Sequence, residues 1–220
     1  LVLRAARALA RRLRCLRLGA FALEKRLPVA AGLGGGSADA AAALRLLARL
    51  NGLEPGCEAM LEAARETGSD VPVCLSLGCR IMRGRGENLG QSLDLPLMHA
   101  VLVNPGTRLE TARVFAALAA GPRSRAAFIP PARAAARGEW LSAIAACGND
   151  LEAPAILLAS SVEVARRRLC AEPGCVLARM TGSGVTMVGL FAEARAAASA
   201  SLSIAAGHPT WWVRQVTLSA

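Results

Sequence analysis

The chain has 220 residues, 54% of them hydrophobic, enough to bury a sizeable core as one large domain or two small ones. No apolar run reaches the ~18 residues of a membrane span before an Arg interrupts it, and the positive mean hydropathy comes largely from Ala. The net charge of +10 is dispersed and, beside 3% aromatics and no Tyr, offers no stacking platform for bases, so neither a membrane nor a nucleic acid is an expected partner.

Lys25 is the only Lys; every other basic residue is Arg, with small clusters at Arg11-Arg12-Arg14 and Arg166-Arg167-Arg168. An Arg-over-Lys, Ala-rich bias is what a GC-rich genome produces. The seven Cys, at 15, 57, 74, 79, 147, 170 and 175, contain no C-x-x-C pair and form a poor disulfide framework. Two His, at 99 and 208, cannot make a His-rich metal site. The expectation is a cytoplasmic protein with reduced thiols and no protein-held metal.

Residues 1–19 are Arg-rich and free of acids, a superficial likeness to a transit peptide, yet Leu1, Leu3, Ala6, Leu9 and Leu13 recur near helical spacing. The spacing predicts a helix over 2–15, and a chain starting at Leu1 inside a helix is expected to belong to something longer. Phe21, Leu23, Leu27 and Val29 alternate and predict a short strand. A glycine-rich loop follows, then an Ala/Leu run to Leu50, expected to be a buried helix capped by Ser37, with Asp39 in its first turn and Asn51-Gly52 ending it. A helix over 57–67 stops at Gly68.

Residues 71–82 predict a strand or strand pair, 84–90 a loop, and 99–103 a strand ending at Asn104-Pro105-Gly106. Thr111 opens a helix to about 120, and 121–135 is a Pro/Arg/Ala-rich surface loop. Helices at 137–147, 151–158 and 162–170, strands at 175–180 and 185–191, a helix at 192–206 and a strand at 211–218 complete the chain. Helices alternating with short strands give a two-layer α+β arrangement, with a boundary near Pro96 and Pro105.

The most informative stretch is Pro28-Val29-Ala30-Ala31-Gly32-Leu33-Gly34-Gly35-Gly36-Ser37-Ala38. Four glycines in five positions leading into a helix let backbone N–H groups approach an anion, and the helix N-terminus adds unsatisfied donors and a positive dipole end. It is not a Walker A loop, because no Lys-Ser/Thr follows the last glycine, and no acidic second strand supports a dinucleotide fold. A loop packed tightly beneath a helix explains a glycine run equally well.

The whole string resembles motif two of the GHMP kinases, and its three consecutive glycines are typical of the 4-diphosphocytidyl-2-C-methyl-D-erythritol kinases within that superfamily. Ala38 stands where family members usually have a second Ser. Gly68-Ser69-Asp70-Val71-Pro72 is similar to the family's Gly-Ala-Asp-Val-Pro, which implies Asp70 as the catalytic group that accepts or orients a hydroxyl proton. As a bare residue, Asp70 reads as a turn or N-cap Asp. Met180-Thr181-Gly182-Ser183-Gly184-Val185-Thr186 resembles motif three, so that Gly182, Ser183 and Gly184 would form a turn supporting the phosphate loop. Arg83 to Glu87, Asn104-Pro105-Gly106 and Asn149-Asp150-Leu151-Glu152 fit the same family. Thr111 and Phe115 are implied at the substrate's cytidine end, though on their own they read as an N-cap and a core aromatic.

The resemblance implies the two-layer GHMP kinase fold, with residues 1–98 as the remainder of an ATP-binding kinase domain and 99–220 as a C-terminal α/β sandwich. It implies ATP with Mg²⁺ as cofactors, a small-molecule acceptor, and a monomer or weak homodimer. The acceptor would be the 2-hydroxyl of 4-diphosphocytidyl-2-C-methyl-D-erythritol, in non-mevalonate isoprenoid synthesis. The family's first strand, with its Lys-Ile/Leu-Asn motif, is not in these 220 residues. The N-terminal domain is therefore expected to be incomplete and the turnover of this chain low. Another GHMP kinase such as homoserine kinase, a non-catalytic remnant, and a basic nucleic-acid-binding module are the competing readings.

Overall fold

The computed structural model describes residues 1–118 and 128–219, which form two compact units: Leu1–Arg26 with Gly34–Leu93, and Leu27–Leu33 with Asp94–Ala220. Residues 121–127 of the expected surface loop, and the last two residues of the helix expected to reach 120, lie outside the described residues.

The first unit is mainly helical. Helix α1 (Val2–Ala10) ends earlier than its apolar spacing predicts. Its buried face is Ala5, Ala6, Ala8 and Leu9, while Leu1 and Leu3 lie off that face and are exposed. Beyond Ala10 the chain is held by charge: Arg12 reaches Glu62 at 3.0 Å and Glu66 at 2.8 Å, and Arg11 also pairs with Glu66. The strand expected over 21–29 does not form, and residues 16–34 carry neither helix nor strand. A strand needs partners for its backbone groups, and Pro28 donates nothing to a ladder. Val29 is accordingly 77% exposed.

Helix α2 (Gly35–Asn51) is capped by Gly34, not Ser37. The Gly34 carbonyl accepts the N–H groups of Ser37 and Ala38 at 2.9 Å, which puts Ser37 inside the first turn. Ala40, Ala41, Leu44, Leu47 and Ala48 are buried against α1, α3 (Glu58–Thr67) and α4 (Val71–Ser76), but Leu46 and Leu50 are exposed, so the burial is one-sided. Gly52 in the left-handed region ends α2 as expected. The predicted strand at 71–82 begins instead as α4. Asp70 precedes it, and Pro72 occupies the first turn, where a missing N–H is harmless. Only after Leu77 and Gly78 does β1 (Cys79–Arg83) start, and it pairs antiparallel with β2 (Asn88–Leu93), shortening the expected 84–90 loop to a tight turn.

The second unit is a four-stranded antiparallel sheet with helices. Its strands are β3 (Met98–Asn104), β4 (Cys175–Met180), β5 (Met187–Phe191) and β6 (Trp212–Leu218), in the order β4-β5-β3-β6. Helices α5 (Thr111–Ala117), α6 (Arg137–Ala146), α7 (Glu152–Leu158) and α8 (Ser161–Cys170) lie between β3 and β4, and α9 (Ala194–Gly207) between β5 and β6. Because β5 and β6 both run antiparallel to β3, they are parallel to each other and need a crossover. Helix α9 supplies it. At ~1.5 Å per residue its 14 residues match the length of a seven-residue strand at ~3.3 Å per residue. Val101, Val103, Met187, Phe191 and Val213 of the sheet bury against Val162, Ala165, Leu169, Ala197, Ala200 and Ile204 of α8 and α9. Phe115, which reads as a core aromatic, is instead 56% exposed on α5, whose buried position is Val114.

On α8, Glu163 accepts hydrogen bonds from Arg166 (2.7 and 2.9 Å) and Arg167 (2.6 Å). The donation from Arg166, then that from Arg167, holds the carboxyl down at about 2 against an ordinary 4.5. A carboxyl lowered in the folded state contributes stability that is fully present above its unfolded pKa and is lost as pH falls through the folded one. E163Q should therefore unfold at a lower temperature than the parent above about pH 5, and the difference should shrink to nothing near pH 2. Thermal melts of both proteins across that range check it, and a difference independent of pH would contradict the assignment.

Candidate active site

In the second unit the segment 27–33 is fastened to the turn between β4 and β5. Thr181 Oγ1 donates to the Gly32 carbonyl at 2.9 Å, and the Thr186 N–H donates to the Ala31 carbonyl at 3.3 Å. Gly32 has φ +72°, and a Cβ there would stand 2.6 Å from the Thr181 carbonyl oxygen and 2.7 Å from that of Gly184. At Gly182, with φ +51°, an added Cβ would stand 2.9 Å from the Gly32 carbonyl oxygen. Glycine at 32 is thus required by both conformation and space.

Residues scattered through the sequence meet at this turn. Asn149 Nδ2 donates to the carbonyls of Met180 (2.9 Å) and Gly182 (2.8 Å), and Glu152 accepts the Met180 N–H at 2.7 Å. Buried Asn104 donates to Thr186 Oγ1 at 2.9 Å and accepts the Gly106 N–H. Thr111 is not the cap of α5, which is Glu110; its hydroxyl instead shares a 2.8 Å hydrogen bond with Ser183. Phe115 lies one turn further along the same helix.

In the first unit, Gly34 to Ala38 form the start of α2. Ser37 and Ala38 return their N–H groups to Gly34, whereas those of Gly35 and Gly36 meet no acceptor among the described residues. Two free donors at a helix N-terminus are what an anion binds. Lys25 Nζ contacts Asp39 Oδ2 at 2.6 Å, which sets a partly exposed ammonium beside this turn. Asp70 is exposed at the head of α4, its carboxylate accepting the Ser69 hydroxyl at 3.2 Å and its carbonyl the Cys74 N–H. Arg45 of α2 donates to the Cys74 carbonyl at 2.8 Å and so ties α4 to α2. Burial, and next the nearby Asp70 charge, push the Cys74 thiol up.

Residues 1–78 match the family described as GHMP kinases N terminal domain. A 4-diphosphocytidyl-2-C-methyl-D-erythritol kinase of Methylobacterium radiotolerans is 54% identical over 216 residues, covering 97% of this chain and 74% of that protein. The enzyme of that name from Methylorubrum extorquens is 51% identical, covering the whole chain and 76% of the relative. The chain belongs to this family of GHMP kinases. A crystal structure of a 4-(cytidine 5'-diphospho)-2C-methyl-D-erythritol kinase superposes with a TM-score of 0.75 at 31% identity, covering 99% of this chain and 78% of that one. Homoserine kinase from Cytophaga hutchinsonii, at 18% identity and a TM-score of 0.66 over 89% of this chain and 68% of that one, shares the GHMP fold alone. The protein is thus a small-molecule kinase, and the chain spans about three quarters of the length of these curated relatives.

Three features of this GHMP kinase escape sequence reasoning. Asn104, Asn149 and Glu152 stand in stretches that resemble the family, but nothing in the sequence says that they converge on one turn. The side chains of Asn149 and Glu152 replace main-chain partners at a place where the chain reverses. The Lys25–Asp39 pair has a weak signal only, a lone Lys shortly before the loop and an Asp just after it. Free donors at the start of this helix are expected from the loop, but that they belong to Gly35 and Gly36 follows from capping by Gly34, whose left-handed backbone has no local signature.

Gly34 also has positive φ, but a Cβ there would meet nothing within 4 Å. G34A should therefore cost only the left-handed strain, about 1–2 kcal/mol. G32A should cost distinctly more, because the strain is joined by a backbone clash. Chemical denaturation of the two variants measures the gap, and equal losses would refute the packing account.

Proposed function

We propose that the protein transfers the γ-phosphoryl group of ATP to the 2-hydroxyl of 4-diphosphocytidyl-2-C-methyl-D-erythritol, in the non-mevalonate supply of isoprenoid precursors. The observation that carries this reading is the 54% identity to a kinase of that name across 97% of the chain. On this reading it works in the cytoplasm as a monomer or weak homodimer. No helix among the described residues is long and apolar enough to cross a membrane. Residues 1–98 serve as an ATP-binding kinase domain and 99–220 as a C-terminal GHMP domain.

The phosphates of ATP lie along Pro28 to Ala38. The free N–H groups of Gly35 and Gly36 and the Ser37 hydroxyl are the donors on offer, and Ala38 contributes none where relatives usually have a Ser. Gly182, Ser183 and Gly184 hold the segment before them in shape. Among the described residues no three His, Cys, Asp or Glu side chains gather into a metal-holding group. Mg²⁺ would come with the nucleotide, held chiefly by phosphate oxygens with at most one or two carboxylates. When bound it neutralises phosphate charge.

Asp70 is the group that accepts or orients the acceptor's hydroxyl proton. Its exposure leaves it open to a substrate, and the Ser69 hydroxyl fixes its orientation. Thr111 and Phe115 take the cytidine end, Thr111 being held by Ser183 and Phe115 presenting an exposed ring.

D70N should lower turnover by about 10²-fold or more while ATP binding stays intact. Full turnover in the variant would remove Asp70 from the chemistry. ADP release should require the cytidyl acceptor and should not be supported by homoserine. Homoserine-dependent release would transfer the protein to another GHMP activity, and ATP binding with no acceptor-dependent release would mark a non-catalytic remnant.

A further inference from the structure

In the second unit, at the end of the β4–β5 pair opposite the Thr181–Gly184 turn, the link from α8 to β4 passes beside the start of α9. Between them lies a cavity of about 430 Å³, with Glu172, Pro173, Glu193, Arg195, Ala196 and Ala200 in its wall. That volume falls in the ~300–1,000 Å³ range of small-molecule sites. Strand β4 has six residues, so at ~3.3 Å per residue the cavity stands about 15–20 Å from the turn that holds Gly32. No residue assigned to ATP or to the acceptor lines it.

The wall carries a carboxylate that the protein itself leaves short of donors. Glu172 is only 6% exposed. Arg168, one turn back on α8, forms an ion pair with its Oε1 but not in hydrogen-bond geometry, and gives Nη2 to Ser203 at 2.7 Å. Glu172 Oε2 accepts no hydrogen bond among the described residues. A buried ion pair offsets its lost hydration only when further hydrogen bonds fill the open acceptor positions, and here the cavity is where they can come from. The backbone of Glu172 is locked, its N–H donating to the Leu169 carbonyl and its carbonyl accepting the Cys175 N–H, both at 3.1 Å. Gly174, with φ +80°, lies so near α9 that a Cβ there would stand 3.0 Å from the Ala196 Cβ. On the α9 side, Glu193 caps the helix through its backbone, and its exposed carboxylate has no partner among the described residues. Among the described residues of the wall, two carboxylates therefore stand against the single guanidinium of Arg195.

We propose that this cavity binds a small alkylammonium ion, with Glu172 and Glu193 receiving ammonium groups and Pro173, Ala196 and Ala200 covering methylenes. An ammonium brings N–H donors together with positive charge, which fill the acceptor positions that Arg168 leaves open. A diamine meets both carboxylates and is held better than a monoamine of equal length. An anion would find one guanidinium beside two like charges. The site is independent of the phosphoryl-transfer reading given above.

Titration calorimetry with 1,4-diaminobutane, at fixed ionic strength, reads the cavity without turnover. The parent should bind the diamine, and n-butylamine about tenfold or more weakly. E172Q should lose about tenfold or more in diamine affinity. E193Q, whose side chain makes no described contact, should lose the preference for the diamine over the monoamine. R195A should bind the diamine as well as the parent or better, because a competing charge is gone. Thermal melts check that each variant folds; if E172Q does not, E193Q and the two amines decide the matter. No binding by the parent, or a diamine affinity that neither E172Q nor E193Q reduces, would overturn the proposal. Binding of acetate or phosphate that R195A abolishes would make the cavity an anion site and overturn it as well.

Discussion

The approach of Gly32 to the Thr181–Gly184 turn is the constraint around which the second unit is arranged. Two backbones come so near that neither Gly32 nor Gly182 has room for a side chain, and the Thr181 hydroxyl closes the contact with a hydrogen bond across 149 residues of sequence. Such a contact needs its surroundings fixed, since a turn free to shift by an ångström would lose it. Asn149, Glu152, Thr186 and Asn104 supply that fixing through a connected set of side-chain hydrogen bonds. Asn149 and Glu152 occupy backbone groups of Met180 and Gly182 that would otherwise be left unpaired as the chain reverses, so removing either costs more than the bond itself.

The first unit solves a different problem. Its core is built largely from Ala, with Leu9, Leu44, Leu47 and Met60 as the larger fillers, so the helices approach closely and little volume separates them. Close helices put the head of α4 under the control of α2, through Arg45 and the Cys74 carbonyl. The carboxylate of Asp70 thereby sits at the end of a short, anchored helix while remaining open to solvent. A group that has to meet a substrate gains from both properties, because a fixed base loses little freedom on binding.

Much of this was legible in the sequence, and the failures have physical causes. Strands of the second unit and the helices 58–67 and 161–170 follow their apolar spacing because a packed face enforces it. The strand expected at 21–29 fails because alternation describes a face but does not supply a neighbour. Residues 71–76 fold as a helix because Asp70 and Pro72 open a helical turn more strongly than Val71, Val73 and Leu75 favour a strand. Ser37 yields the cap to Gly34 for a backbone reason that composition alone does not reveal. The loop and Asp70 could be singled out by their residue types, whereas the gathering of Asn104, Thr111 and Asn149 about one turn is a product of topology and has no local signature.

The central position of β3 has a bearing on how the molecule is made. This strand pairs with β5 on one side and β6 on the other, and its partner residues in β6 run from Trp212 to Leu218. The pairings with β6 join parts of the chain separated by more than a hundred positions, so their loop-closure entropy falls due late in folding. A nascent chain that has emerged only as far as α9 holds β3 with one edge bare, a largely apolar strand whose backbone donors on that edge face solvent. Until Leu218 is clear of the ribosome, the strand at the middle of the finished sheet is an edge strand, open to pairing with a neighbouring chain.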